Sequence, residues 1–173
     1  GVASVRAGNC IGGGDWTKFR ILTDTSKSFL KNKKLFVRNP NSIRPWQHVL
    51  EPLLGYIMLA EKIFGNKKIF FSSAWNFGPK QRNQIKVKNF AKIFKKKLKS
   101  KSKIILNKKK DDKEKKYLDL SSKKSIKYLG WRSFLNIEKT LELTAEWYLA
   151  NNSKKNMYNI TINQIQKYMN FLK

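Results

Sequence analysis

Residues 8–16 read GNCIGGGDW: an amide, a thiol, three consecutive glycines and a carboxylate in one short stretch. Glycines that follow a strand can bring backbone N–H groups against a phosphate. A dinucleotide fingerprint needs Gly-x-Gly-x-x-Gly between a strand and a helix. Here Gly12, Gly13 and Gly14 follow a strand-like segment, but no glycine stands at the third offset, and Asp15 sets a negative charge beside the place of a pyrophosphate. The chain also has no Gly-Lys-Ser/Thr, which excludes a P-loop. Spacing alone leaves two readings open: a turn that uses positive φ, or a loop that closes over a substrate.

Other catalytic chemistry is sparse. The chain has one cysteine, Cys10, and one histidine, His48, which excludes an internal disulfide framework, a cysteine zinc site and paired-histidine metal motifs. Any triad would run through His48, in RPWQHVLEP just ahead of a helix; a hydrogen-bonded structural histidine is the favoured reading there. None of the six tyrosines has a lysine four residues on, so the Tyr-x-x-x-Lys pair of hydride chemistry is missing; Tyr128 has Arg132 there, within a Leu-Gly-Trp turn.

The elements that would position these residues alternate in type. Residues 2–7 are β-branched and alternating, a strand; residues 8–20 read as a loop. Residues 21–31 read as a helix with Ile21, Leu22, Phe29 and Leu30 as its apolar positions, 35–38 as a strand and 39–42 as a turn. Residues 46–49 are extended. A long helix follows to about residue 64, with Pro52 in its first turn, Leu53, Ile57, Ala60 and Phe64 along one face, and Gly65-Asn66 ending it. Residues 73–77 are a strand, and 87–99 a helix with Phe90, Ile93, Phe94 and Leu98 inward. A short strand at 103–106 precedes a charged stretch, 107–116, read as a mobile loop. Residues 117–120 are extended, and short and long helices follow at 121–130 and 137–150. A last helix starts at the box-like Thr161-x-x-Gln164. This alternation predicts an α/β fold, its irregular later segments looking like the tail of a doubly wound sheet with an attached lobe. The chain opens inside a strand rather than on a methionine, leader or tag, so it is expected to be a piece of a longer one.

Composition narrows the function classes. The 173 residues suffice for one domain with a core. Net charge is +27, yet only six of the 38 basic residues are arginine. Lysine, asparagine and isoleucine share A/T-rich codons, so drift toward lysine on solvated faces explains the charge, and nucleic acid is not an expected partner. The most apolar run, residues 49–64, contains Glu51 and Glu61. It falls short of the roughly 18 residues of a membrane span, and a cytoplasmic protein is expected.

Five stretches in order, VRAGNCIGGGDW from residue 5, NPNSIRPWQHVLEPLLGYIMLAEKI from 39, AWNFGP from 74, YLDLSSKKSIKYLGW from 117 and LELTAEWY from 141, resemble the C-terminal half of the CDP-glucose 4,6-dehydratases, within the extended short-chain dehydrogenases/reductases. The resemblance spans nearly the whole chain. The run IRPWQHVLEP is particular to these dehydratases; LGW with WY marks only the wider group of nucleotide-sugar enzymes. It implies the last strands of an NAD(P)-binding Rossmann-like sheet plus the small C-terminal substrate-binding lobe, with residues 1–78 mainly sheet tail and substrate loops and 79–173 mainly the lobe. The implied reaction is internal redox on CDP-glucose. NAD takes a hydride from C4, water leaves across C5 and C6, and the hydride returns to C6, giving CDP-4-keto-6-deoxyglucose for surface-polysaccharide (O-antigen) sugars. The resemblance assigns the NAD loop, the catalytic tyrosine and lysine and the elimination acid and base to an N-terminal half, a partner this chain would need. No catalytic, cofactor-binding or metal residue is expected here, and the chain alone is expected to be inactive. Full-length members are commonly homodimeric.

Site roles follow from the same resemblance. Asn9 corresponds to the asparagine that donates to the sugar diphosphate. Arg44 matches the arginine before Pro-Trp, whose guanidinium forks onto two phosphate oxygens as lysine cannot. Arg20, Ile21 and Leu22 align with the base-contacting turn, Leu35 and Val37 with the nucleoside wall, and Lys80 with a substrate-side asparagine. Trp46 and Trp75 are read as core. Departures bear on nucleotide choice: Leu22-Thr23-Asp24 stands for Ile-Pro-Asp, Lys80 for Asn, and Glu114-Lys115-Lys116 for Glu-Ala-His. Two rival readings are an epimerase or dehydratase taking another nucleotide, and a basic module binding polyanions through residues 92–116. The first strand and the helix after Pro52 are also expected to present apolar faces, and the isolated chain to be poorly soluble.

Overall fold

The helices form where apolar side chains recur at helical spacing. In the computed structural model, which describes residues 1–65, 68–80, 83–107 and 115–172, α1 (Ile21–Leu30) buries Leu22 and Phe29. Helix α4 (Val87–Lys97) buries Val87, Phe90, Ala91 and Phe94 and turns its lysines outward. Helix α6 (Ile137–Asn152) is capped by Asn136, whose side chain accepts from the Lys139 N–H at 2.8 Å. These three helices pack together over β3 (Leu35–Val37) and β4 (Ile43–His48), with Trp46, Phe90, Phe94 and Tyr148 in the main core.

Three small sheets thread this core. Strand β1 (Ser4–Ala7) pairs in parallel with β5 (Ala74–Phe77), Ser4 opposite Ala74 and Ala7 opposite Phe77. The chain then leaves that sheet at Gly8. A Cβ at this position would lie 2.8 Å from the Pro45 carbonyl oxygen, so only glycine lets the two backbones approach so closely. Beyond the bend, β2 (Asn9–Ile11) pairs in parallel with β4, Asn9 opposite Trp46, and β4 pairs on its other edge, antiparallel, with β6 (Gln84–Lys86). Strand β3 pairs in parallel with β7 (Ile104–Leu106).

The fold class is α/β as the sequence predicts, with corrections to individual elements. Residues 8–20 are not one loop, because β2 occupies their first part through its pairing with β4. Strand β4 begins at Ile43 rather than 46, since β6 and the backbone around Tyr117 satisfy its edge. Val49 is helical rather than extended and leads into α2 (Leu50–Phe64). Helix α3 (Lys68–Phe71), β2 and β6 are unanticipated, being too short for any periodic pattern. Helix α7 (Met157–Asn170) starts four residues before Thr161: Asn156 caps it by accepting from the Asn159 N–H, and the Thr161 hydroxyl bonds back to the Met157 carbonyl in the second turn. Asn66 and most of the charged stretch, residues 108–114, lie outside the described residues.

The stripe predicted along α2 lies on its outer face. Leu53, Ile57 and Phe64 are 43%, 60% and 92% exposed. The opposite face packs instead, with Leu59 buried beside Phe77 and Trp131 in a second core, and with Gly55 seated against the Phe77 ring. Strand β1 carries exposed Val5, and its β5 partner covers one edge only among the described residues. Among those residues no helix is long and apolar enough to cross a membrane.

Glu51, in the first turn of α2 and fully buried, joins that helix to the segment 131–135 and to α7. Its carboxylate accepts from the backbone N–H of Phe134 at 3.0 Å and of Leu135 at 2.6 Å and from the Tyr168 hydroxyl at 3.2 Å, while its carbonyl accepts from the Trp131 indole. Burial pushes this carboxyl's pKa up, and the donors around it oppose the shift. Replacing it leaves buried donors unpaired. Glu51→Ala is expected to lose about 3 kcal/mol of stability and Glu51→Gln less, read from the urea midpoints of the two variants against the parent chain.

Candidate functional site

A cleft of about 670 Å³ opens where the starts of β2 and α1 meet β3 and β4. Pairing places its polar groups. Asn9 stands opposite Trp46, and Arg44 lies two residues before Trp46 on the same strand. Alternation along a strand puts Arg44 and Trp46 on one face, and all three line the cleft. Arg44 is only 6% exposed, and one of its guanidinium nitrogens donates to its neighbour's carbonyl, Ile43 O, at 2.8 Å. From the other side come Arg20, Ile21 and Leu22 at the N-terminus of α1, whose first N–H groups have no intrahelical acceptor and whose dipole favours anions.

Charge in this cleft is sorted by type. Three of the chain's six arginines, Arg20, Arg38 and Arg44, line it, and among the described residues no lysine does. Asp15 and Asp24 also line it, and Asp15 pairs with Arg20 at 3.5 Å. A guanidinium set of this kind suits planar, bidentate recognition of phosphate or carboxylate.

The glycine loop does not itself face the cleft. Gly13 lies against α6: a Cβ there would fall 2.0 Å from the Trp147 ring. Gly14 takes φ +82°, the turn reading of the sequence. What the loop delivers is its far end. The Asp15 carbonyl accepts from the Thr23 and Tyr148 hydroxyls, its carboxylate accepts from the Thr17 N–H, and the Trp16 ring sits edge-on to Tyr148. So anchored, the loop carries Phe19 and Arg20 to the cleft wall.

Of the eight residues the sequence singled out, Asn9, Arg20, Ile21, Leu22, Val37 and Arg44 line this one cleft. Leu35 does not: it is 1% exposed in the core, pointing to the opposite face of β3 from Phe36. Lys80 is exposed in the loop after β5 and is not among the lining residues. Phe19, Phe36, Arg38 and Asn39 line the cleft without having been anticipated. For Arg38 a signal existed, since an arginine retained among lysines is what drew attention to Arg44. For the two phenylalanines none did, because nothing in a sequence marks an exposed aromatic as facing a cleft.

His48 is outside the cleft. It is 2% exposed, its Nδ1 accepts from the Leu50 N–H at 3.4 Å, and burial lowers its pKa to about 4. It is a neutral structural imidazole. Cys10 lines the cleft, but burial pushes its thiol pKa up, and the thiol donates to Gly8 O, so it is not an activated nucleophile. Trp75 is fully buried, donating to Phe71 O.

The His48 pKa yields a pH prediction. Its folded value near 4 lies below the unfolded value near 6.5, so the unfolded chain takes up the proton first. The contribution is complete above pH 6.5 and is lost as pH falls toward 4, by about 3 kcal/mol. Urea midpoints measured across this window for the parent and for His48→Asn should diverge as pH rises, the variant lacking that slope.

No protein-family model matches the chain. In sequence it is 38% identical over 169 residues, 98% of its length, to CDP-glucose 4,6-dehydratase of Salmonella typhimurium, and it spans 47% of that enzyme. UDP-glucose 4-epimerase of Thermotoga maritima, solved with UDP-glucose, matches with a TM-score of 0.71 at 16% identity, over 86% of this chain and 46% of that one. dTDP-glucose 4,6-dehydratase of Bacillus anthracis, solved with NAD, matches with a TM-score of 0.68 at 17% identity, over 89% and 46%. The chain thus spans about half the length of the proteins it matches. It has the fold of about half of an extended short-chain dehydrogenase/reductase, and over its whole length its sequence is similar to CDP-glucose 4,6-dehydratase.

Proposed function

We propose that this chain is the substrate-binding portion of an NAD-dependent dehydratase that converts CDP-glucose to CDP-4-keto-6-deoxyglucose. The observation that carries the reading is the convergence of Asn9 and Arg44 on one cleft. In it, Arg44 forks onto the diphosphate, Asn9 donates to the same group without adding charge, and Ile21, Leu22 and Val37 form the apolar wall against the nucleoside. Similarity to a CDP-glucose enzyme over 98% of the chain supports this choice of nucleotide over UDP or dTDP.

NAD, in this reading, carries a hydride out of the sugar and back. The residues of this chain do not fit that cofactor. The glycine loop is packed against Trp147 rather than open to a pyrophosphate, and the sequence has no Tyr-x-x-x-Lys. No redox step is therefore assigned to this chain, which is inactive by itself and works with an NAD-binding N-terminal half. The exposed edge of β1 and the Leu53–Ile57–Phe64 stripe are the surfaces that such a half would cover.

The chain mixed with the NAD-binding half of a CDP-glucose 4,6-dehydratase and given CDP-glucose should yield the 4-keto sugar, while neither half does so alone. CDP should protect the mixture and dTDP should not. Turnover by the 173-residue chain alone, or equal protection by dTDP, would overturn the reading. Arg44→Lys keeps the charge and loses the fork, and is expected to weaken CDP binding roughly tenfold, with melting temperature followed to separate binding from folding.

A further inference from the structure

Four non-glycine residues among those described have positive φ: Phe19 (64°), Asn32, Lys99 and Lys154. The last three each follow the final turn of a helix, where the left-handed conformation is ordinary. Phe19 closes no helix. A bulky residue in this conformation is an outlier, and such backbone persists only where surrounding structure holds it, commonly at ligand sites. Here the holder is Arg38, across the cleft mouth. Its guanidinium donates to the Phe19 carbonyl at 2.9 Å and lies 6.0 Å from the centre of the Phe19 ring. Asp15, four residues earlier, is anchored to α1 and α6, so the short link between the anchors has little freedom.

The result is an aromatic residue 78% exposed to solvent yet part of the cleft lining. The packed core does not use it. Phe36, 56% exposed, lines the same cleft, and buried Leu22 and Val37 form the apolar floor. A fixed, exposed aromatic face with a guanidinium beside it is a platform for a flat, π-bearing group. Resting on the reading that a nucleoside diphosphate places its phosphates at Arg44 and Asn9, we propose that Phe19 is the stacking platform for the base, with Arg38 as the positioning residue that pins it there.

The experiment is calorimetric titration of the 173-residue chain with CDP and, separately, with inorganic pyrophosphate. Phe19→Ala should weaken CDP about tenfold, the size of one base–aromatic stack, and leave pyrophosphate within twofold. Phe19→Trp should hold CDP within about threefold of the parent. Phe19→Gly should remove the ring and relax the backbone together, so its melting temperature holds or rises while CDP affinity falls. CDP affinity unchanged in Phe19→Ala, or CDP and pyrophosphate falling in parallel, would overturn the platform and leave Phe19 a loop brace. A parent chain that binds CDP no tighter than pyrophosphate overturns the platform while the diphosphate reading stands. A parent that binds neither overturns both.

Discussion

The parallel pairing of β2 with β4 is the contact on which the cleft depends. It sets Asn9 opposite Trp46 and so beside the strand that carries Arg44. Pairing of this kind needs two backbones brought side by side directly after the chain has left another sheet, and Gly8 permits it by lacking a Cβ against Pro45 O. A guanidinium taken almost wholly out of water is costly unless hydrogen bonds meet it. Arg44 is held by the neighbouring carbonyl and aimed into a cleft. The strand register thus sets a largely desolvated guanidinium at the cleft, beside Asn9.

Charge tells two stories in this molecule. Most of the +27 is lysine. Along α4 the lysines stand in solvent, and the ion pairs formed there, such as Lys97 with Glu138 and Glu142, are exposed contacts of small energetic weight. The arginines behave differently, with half of them gathered at one cleft. In a chain so rich in lysine, the arginines gathered at one cleft stand out by type. The +27 as a bulk property says little; the placement of three guanidiniums says much more.

The glycine loop shows how a motif can suggest the right region for the wrong reason. Its glycines resemble a phosphate cradle, and they are used for close packing against Trp147 and for one left-handed turn. What the loop contributes to the cleft is its far end, Phe19 and Arg20, held there by anchors at Asp15 and Arg38. The buried Glu51 plays a comparable part at the start of α2, where one carboxylate satisfies two backbone donors and a tyrosine and so fixes the approach of α7.

The α/β class, the longer helices, the buried faces of α1 and α4 and the cleft position of six of the eight residues singled out were legible in the sequence, because periodic apolar spacing, turn residues and a run of family-specific motifs are local signals. Strands β2 and β6 were not, since each exists only through a distant partner. The stripe on α2 was read as one apolar face, but which face meets the core depends on where Phe77 and Trp131 arrive from elsewhere in the chain. Leu35 and Val37 differ in fate for a similar reason. Both are buried in β3, yet only Val37 reaches the cleft, a matter of what packs on each end of the strand. The sequence by itself determined residue types, charge and segment periods, which are properties of neighbours along the chain. Tertiary structure alone decided that Arg38 reaches Phe19 and that Asn9 stands beside Arg44, because pairing and packing join residues whose proximity no local interaction encodes.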